Sequence, residues 1–74
     1  MNEQGINRLR LGLNIRRWRH GRRMTQVELA EKLGCRAATI SAMERGKRNI
    51  SVDWLFAYSR ALDCKVDDLL VGVE

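Results

Sequence analysis

The stretch Thr25 to Gly46, TQVELAEKLGCRAATISAMERG, leaves this chain little choice of fold. Thr25 is a helix-capping residue, and Glu28 stands three positions on. That is the spacing of a capping box. The hydroxyl accepts a first-turn N–H, and the carboxylate reaches back to the cap's own N–H. Met24 before the cap and Leu29 after it can close a hydrophobic staple. Ala30 and Leu33 continue the apolar stripe at helical spacing. Gly34 ends it, because glycine takes the left-handed conformation a helix stop needs. A second helix is predicted from about Ala37 to Arg45, with Ile40 and Met43 facing inward and Gly46 as its stop. Helices this short bury little by themselves, so further helices must lie beneath them.

The flanking sequence supplies them. Met1 to Gly5 has no pattern and reads as a flexible tail. A first helix is predicted from Ile6 to about His20, where Leu11, Ile15 and Trp18 recur at i, i+4 and i+7. Leu9, Leu11, Leu13 and Ile15 also alternate as a strand would, but Arg16, Arg17 and the downstream pattern favour helix. Gly12 weakens that helix by about 1 kcal/mol relative to alanine. After a loop at Lys47-Arg48-Asn49, Ser51 caps a fourth helix from Val52 to about Leu62, with Ile50 stapled to Leu55. Leu55, Tyr58, Ser59 and Leu62 form its inward stripe. Cys64 and Val66 cross back to the core. Asp67 is expected to cap a last helix from Asp68 to Val71, anchored by Leu69 and Leu70 and ended by Gly72. The expectation is an all-α, compact five-helix domain over residues 6–74.

Composition matters here for size and charge. A chain of 74 residues holds one domain, and at this length only about 60% of the unfolded surface is buried. The net charge is +5, and it is unevenly placed. Residues 1–48 carry +8 and residues 49–74 carry −3. The positive field therefore sits on the half with the paired short helices, as a polyanion-facing surface requires. Cys35 and Cys64 are too few for a disulfide framework, and no signal peptide is legible, so a reducing cytoplasm is expected. No run approaches the ~20 apolar residues of a membrane span. Catalysis finds no support: His20 is the only histidine and has no evident carboxylate partner. His20, Cys35 and Cys64 lack metal-ligand spacing, and no glycine-rich phosphate loop is present. No enzyme activity, metal, cofactor or small-molecule ligand is expected.

Thr25, Gln26, Glu28, Leu29, Ala30 and Gly34, followed by Thr39, Ile40, Ser41, Glu44 and Gly46, resemble the helix-turn-helix of Xre/Cro-type phage repressors and restriction–modification controller proteins. The resemblance spans about Leu11 to Leu70. It implies a lambda-repressor-like domain that binds double-stranded DNA and regulates transcription by covering a promoter or recruiting polymerase. Its second short helix would lie in the major groove. The base-facing positions are then Arg36, Ala37, Ala38, Ser41, Ala42 and Arg45. Alanine can meet a thymine methyl but offers no side-chain hydrogen bond, whereas arginine can grip guanine with two. Arg36 stands where relatives often place a Ser or Thr cap, so a cap bond of ~1 kcal/mol is forgone. Phosphate contacts are expected from Arg19, Arg22, Arg23, Gln26, Thr39, Lys47, Arg48 and Asn49. Arg8, Arg10, Arg16 and Arg17 read as a solvated face.

Glu44 opposes the dipole at the end of its helix and needs a partner. The resemblance implies Arg19, which would thereby be oriented near a phosphate. Relatives of one domain dimerise through the fourth and fifth helices, so Trp54, Phe56, Val71 and Val73 are the expected homodimer patch. Two other partners fit the same fold: a toxin, if the chain is an antitoxin, or another protein, if base reading has been lost.

Overall fold

A computed structural model describes residues 3–74, without the side chain of Glu3. Five helices order these residues, with no strand among them: α1 Glu3–Gly21, α2 Gln26–Leu33, α3 Ala37–Glu44, α4 Val52–Leu62 and α5 Val66–Leu69. Helix α1 starts earlier than the apolar pattern indicates. Glu3 to Gly5 are helical rather than part of a tail; Met1 and Asn2 lie outside the described residues.

Each helix gives apolar side chains to one core: Leu11 and Ile15, Leu29 and Ala30, Ile40 and Met43, Tyr58 and Leu62, and Leu69. The strand-like alternation in α1 resolves accordingly. Leu11 and Ile15 turn in, while Leu9 and Leu13 remain partly exposed. A fully buried leucine or isoleucine contributes about 1.5–3 kcal/mol, so this small set accounts for most of what holds the short helices in place. Tyr58 satisfies its buried hydroxyl on Met43 Sδ at 2.9 Å. Burial pushes that phenol well above its ordinary pKa.

The helix ends follow from their caps. The Glu28 N–H donates to Thr25 Oγ1, and the Thr25 N–H donates to Glu28 Oε1, each at 3.0 Å. The Trp54 N–H donates to Ser51 Oγ at 3.2 Å. Helix α5 begins two positions before the predicted Asp68. Its N-cap is Lys65, whose N–H donates to Asp68 Oδ2 at 2.9 Å. Asp68, not Asp67, thus secures the start of this helix, and it does so from inside the first turn.

Gly12 has a structural purpose that its helix propensity conceals. Here α1 crosses the end of α3 so closely that a Cβ at position 12 would stand 2.6 Å from the Glu44 carbonyl oxygen and nearer still to that of Met43. Gly46 ends α3 at φ +70°, and a Cβ there would lie 3.0 Å from Leu9 Cα. Helix α1 is therefore in backbone contact with α3 and with the loop that follows it.

Polar side chains on α1 also hold the end of the chain. Asn14 Nδ2 donates to the carbonyls of Leu69 and Val71 at 2.9 and 2.8 Å. Arg10 Nη1 donates to Gly72 O at 2.9 Å. Asn7 and Glu74 exchange two bonds, Nδ2 to the backbone carbonyl and the Glu74 N–H to Oδ1. Arg10, exposed as expected, is thus also a tie to the last residues.

Candidate nucleic-acid interface

The geometry of α2 and α3 is set by one buried ion pair. Arg19, near the end of α1, donates from Nε to Glu44 Oε2 at 2.6 Å and from Nη2 to Glu44 Oε1 at 2.9 Å. Its Nη1 donates to Met24 O at 2.8 Å. Arg19 is 7% exposed and Glu44 8%. The hydrogen bond to Glu44 holds the arginine's pKa above its already high ordinary value. Gln26 Nε2 completes the cluster, donating to Glu44 Oε1 at 3.2 Å. One carboxylate therefore ties the end of α1 and the start of α2 to the last turn of α3. The unfavourable position of Glu44 at the end of α3 is offset by the cation it binds.

The pairing of Arg19 with Glu44 follows the expectation, but the outcome for Arg19 does not. Its donors are taken up inside the protein, so it acts on the interface by holding helices. Arg22, also expected at a phosphate, is exposed and bonded within the protein. Its Nε and Nη2 donate to Leu62 O and Asp63 O, both at 2.8 Å, at the end of α4. Its guanidinium also stands 5.4 Å from the centre of the Trp18 ring. The orphan carbonyls of a helix end attract a cation, and this one is within reach. Arg23 is exposed and sits at φ +56°, a left-handed conformation that is uncommon for a residue with a Cβ.

The outer face of α3 is small and open. Arg36 is its N-cap, extended at φ −91° and ψ 150°, with no side-chain cap bond. Arg36, Ala38 and Arg45 are exposed, and Ser41 and Ala42 half-buried. Arg45 folds back along the helix, Nε donating to Ser41 O at 3.3 Å. Ala37, expected among the base-facing residues, is half-buried and packs against the core. Thr39 is half-buried. Cys35, in the turn, packs against the core, and burial raises its thiol pKa, which disfavours the reactive thiolate.

Beyond α3, Lys47, Arg48 and Asn49 are exposed. Arg8 Nη1 donates to Asn49 Oδ1 at 2.7 Å, a link that sequence reasoning did not reach. The four residues expected in a dimer patch separate into two kinds. Trp54 and Val73 are half-buried against the core, and the Trp54 ring lies 5.8 Å from that of Tyr58. Phe56 and Val71 are 49% and 69% exposed, and Val52, one turn before Phe56, is 64% exposed.

A capped α2, a glycine turn and an α3 with an open outer face, locked together from beneath by Arg19 and Glu44, make a helix-turn-helix. The chain belongs to the helix-turn-helix family HTH_3, whose model matches residues 15–69. It is a domain of the Xre/Cro type found in DNA-binding transcription regulators, a family of regulators rather than of enzymes. It is 39% identical over 57 residues to an uncharacterized HTH-type transcriptional regulator of Archaeoglobus fulgidus, covering 77% of this chain and 81% of that one. Its fold is similar to the clp gene regulator ClgR from C. glutamicum (TM-score 0.86, 31% identity, 90% of this chain and 87% of that one). It is also similar to the restriction-modification controller protein C.AhdI from Aeromonas hydrophila (TM-score 0.82, 26% identity, 86% and 97%). No helix among the described residues is long and apolar enough to cross a membrane.

Proposed function

We propose that this chain regulates transcription in the cytoplasm by binding a palindromic operator as a homodimer, each copy laying α3 in the major groove. The observation that carries the proposal is the free Arg36 at the start of an otherwise small, open helix face. A side chain that forgoes its cap bond at this point is available to a base edge. Bidentate contact with guanine is worth about 1–3 kcal/mol of discrimination. Ala38 and Ala42 fit against thymine methyls, and Ser41 and Arg45 border them. With so few hydrogen-bonding side chains, DNA shape supplies part of the selectivity.

Phosphate contacts come from Gln26 at the start of α2, where unpaired N–H groups favour an anion, and from Lys47, Arg48 and Asn49 beyond α3. Thr39 and Arg23 complete this set. Arg19 and Arg22 leave it, being engaged within the protein. Phe56 and Val71, joined by Val52, form the dimer contact.

Selection of bound sites from random duplex tests this directly. The expected product is a palindrome with half-sites about 34 Å apart, one turn of DNA. Arg36→Ala should relax the preference at one position in each half-site while leaving non-specific binding in place. An unaltered preference would remove Arg36 from base reading; no enriched sequence at all would favour the protein-interaction alternative.

A further inference from the structure

Arg8 reaches from α1 to the loop after α3 and holds Asn49 by its Oδ1 at 2.7 Å. This arginine is half-buried, and its Nε is closed off from solvent without a hydrogen-bond partner. Leaving a buried donor unpaired is unfavourable, so stability alone is a poor reason for an arginine here. The adjoining residues of α1 make a seat for the same loop: Leu9 lies against Gly46, and Gly12 lies under the last carbonyls of α3.

The bond also decides which way Asn49 faces. A guanidinium has donors only, so the carboxamide must turn its oxygen toward Arg8, which leaves its NH2 free to donate elsewhere. Asn49 and its neighbours Lys47 and Arg48 are exposed. Loop and recognition helix are thus carried by one stretch of α1.

The geometry points to Arg8 as the positioning residue of the phosphate-gripping loop: it fixes Asn49 with its amide donor outward and holds Lys47, Arg48 and Asn49 as one row of donors. This rests on the DNA-binding function proposed above. The two are separable because Arg8 acts through the loop and touches no DNA itself.

The test is a set of duplex-binding measurements on the full chain, at a temperature where circular dichroism shows each variant folded. Salt-sensitive binding by the unaltered chain comes first; without it the DNA-binding proposal fails and takes this one with it. Given that binding, Arg8→Ala should weaken selected and random duplex equally, by about tenfold, roughly the effect of one hydrogen bond. In an Asn49→Ala background, where the group Arg8 orients is gone, the same change should cost less than about twofold, because residues acting through one another are not additive. Equal losses in both backgrounds would make Arg8 a direct phosphate contact and overturn the inference. So would an Arg8→Ala chain that melts earlier yet binds normally below its transition. Asn49→Asp tests the orientation without disturbing Arg8's partner. It keeps an acceptor for the guanidinium but removes the outward donor, and binding should fall at least as far. Unchanged binding by that variant also overturns the inference.

Discussion

Arg19 illustrates how one side chain can matter to an interface from within the protein. Removing it would leave Glu44 charged, buried and unpaired. Breaking one partner out of such a pair costs about 3–5 kcal/mol, comparable to the whole stability of a domain this small. Arg19→Ala should therefore unfold at much lower urea, or fail to fold. The double change Arg19→Met/Glu44→Leu should recover most of that loss, since apolar replacement of a buried pair is often neutral. Glu28 offers a milder test. Its hydrogen bonds from Thr25, backbone first and hydroxyl second, hold its pKa below the ordinary 4.5. A carboxylate depressed in the folded state stabilises above its unfolded pKa, and that contribution fades as pH falls through the folded value. Glutamine can fill the same place in a capping box. Glu28→Gln should thus flatten the acid limb of a thermal-melting profile below pH ~4.5, while leaving the melting point near neutrality little changed.

At the level of the helices, Gly12 carries the clearest prediction. Alanine would gain about 1 kcal/mol in helix propensity. Its methyl would collide with backbone rather than with a movable side chain, and forcing a carbon into such a contact costs ~1–3 kcal/mol or more. Gly12→Ala should therefore lower the melting temperature, against the propensity scale. The sequence makes the glycine visible and hides its reason, because a crossing depends on where two distant segments meet. The caps were legible for the opposite reason: Thr25 with Glu28, and Ser51, act within one turn of themselves. The same contrast explains the site. The exposure of Arg36 and Ala38 followed from the inward places of Ile40 and Met43, and the pairing of Arg19 with Glu44 from the family resemblance. The targets of Arg8, Arg10 and Arg22 could not be placed, since each is a group far along the chain. Helix α5 was misplaced because its cap is held by Asp68 from within, and Lys65 gives no capping signal of its own.

For the whole molecule, size and charge work together. The chain measures 32 × 23 × 21 Å, and one turn of DNA is about 34 Å. The proposed operator, with half-sites one turn apart, would therefore take two copies of the chain. Phe56, Val52 and Val71 lie on α4 and the segment after α5, in the part of the sequence that carries −3. Phe56→Glu should yield a monomer in sedimentation velocity, with unchanged helix content and operator binding weaker by at least about tenfold.

The bonds from Asn7, Arg10 and Asn14 to residues 69–74 have a mechanical consequence. They run in order from one extremity of the polypeptide to the other, each reached only after the one before it has parted. Tension applied to the two extremities would meet them singly, like the teeth of a zip, beginning at Asn7 and Glu74. The seam between α1 and the last residues would therefore open from that corner inward.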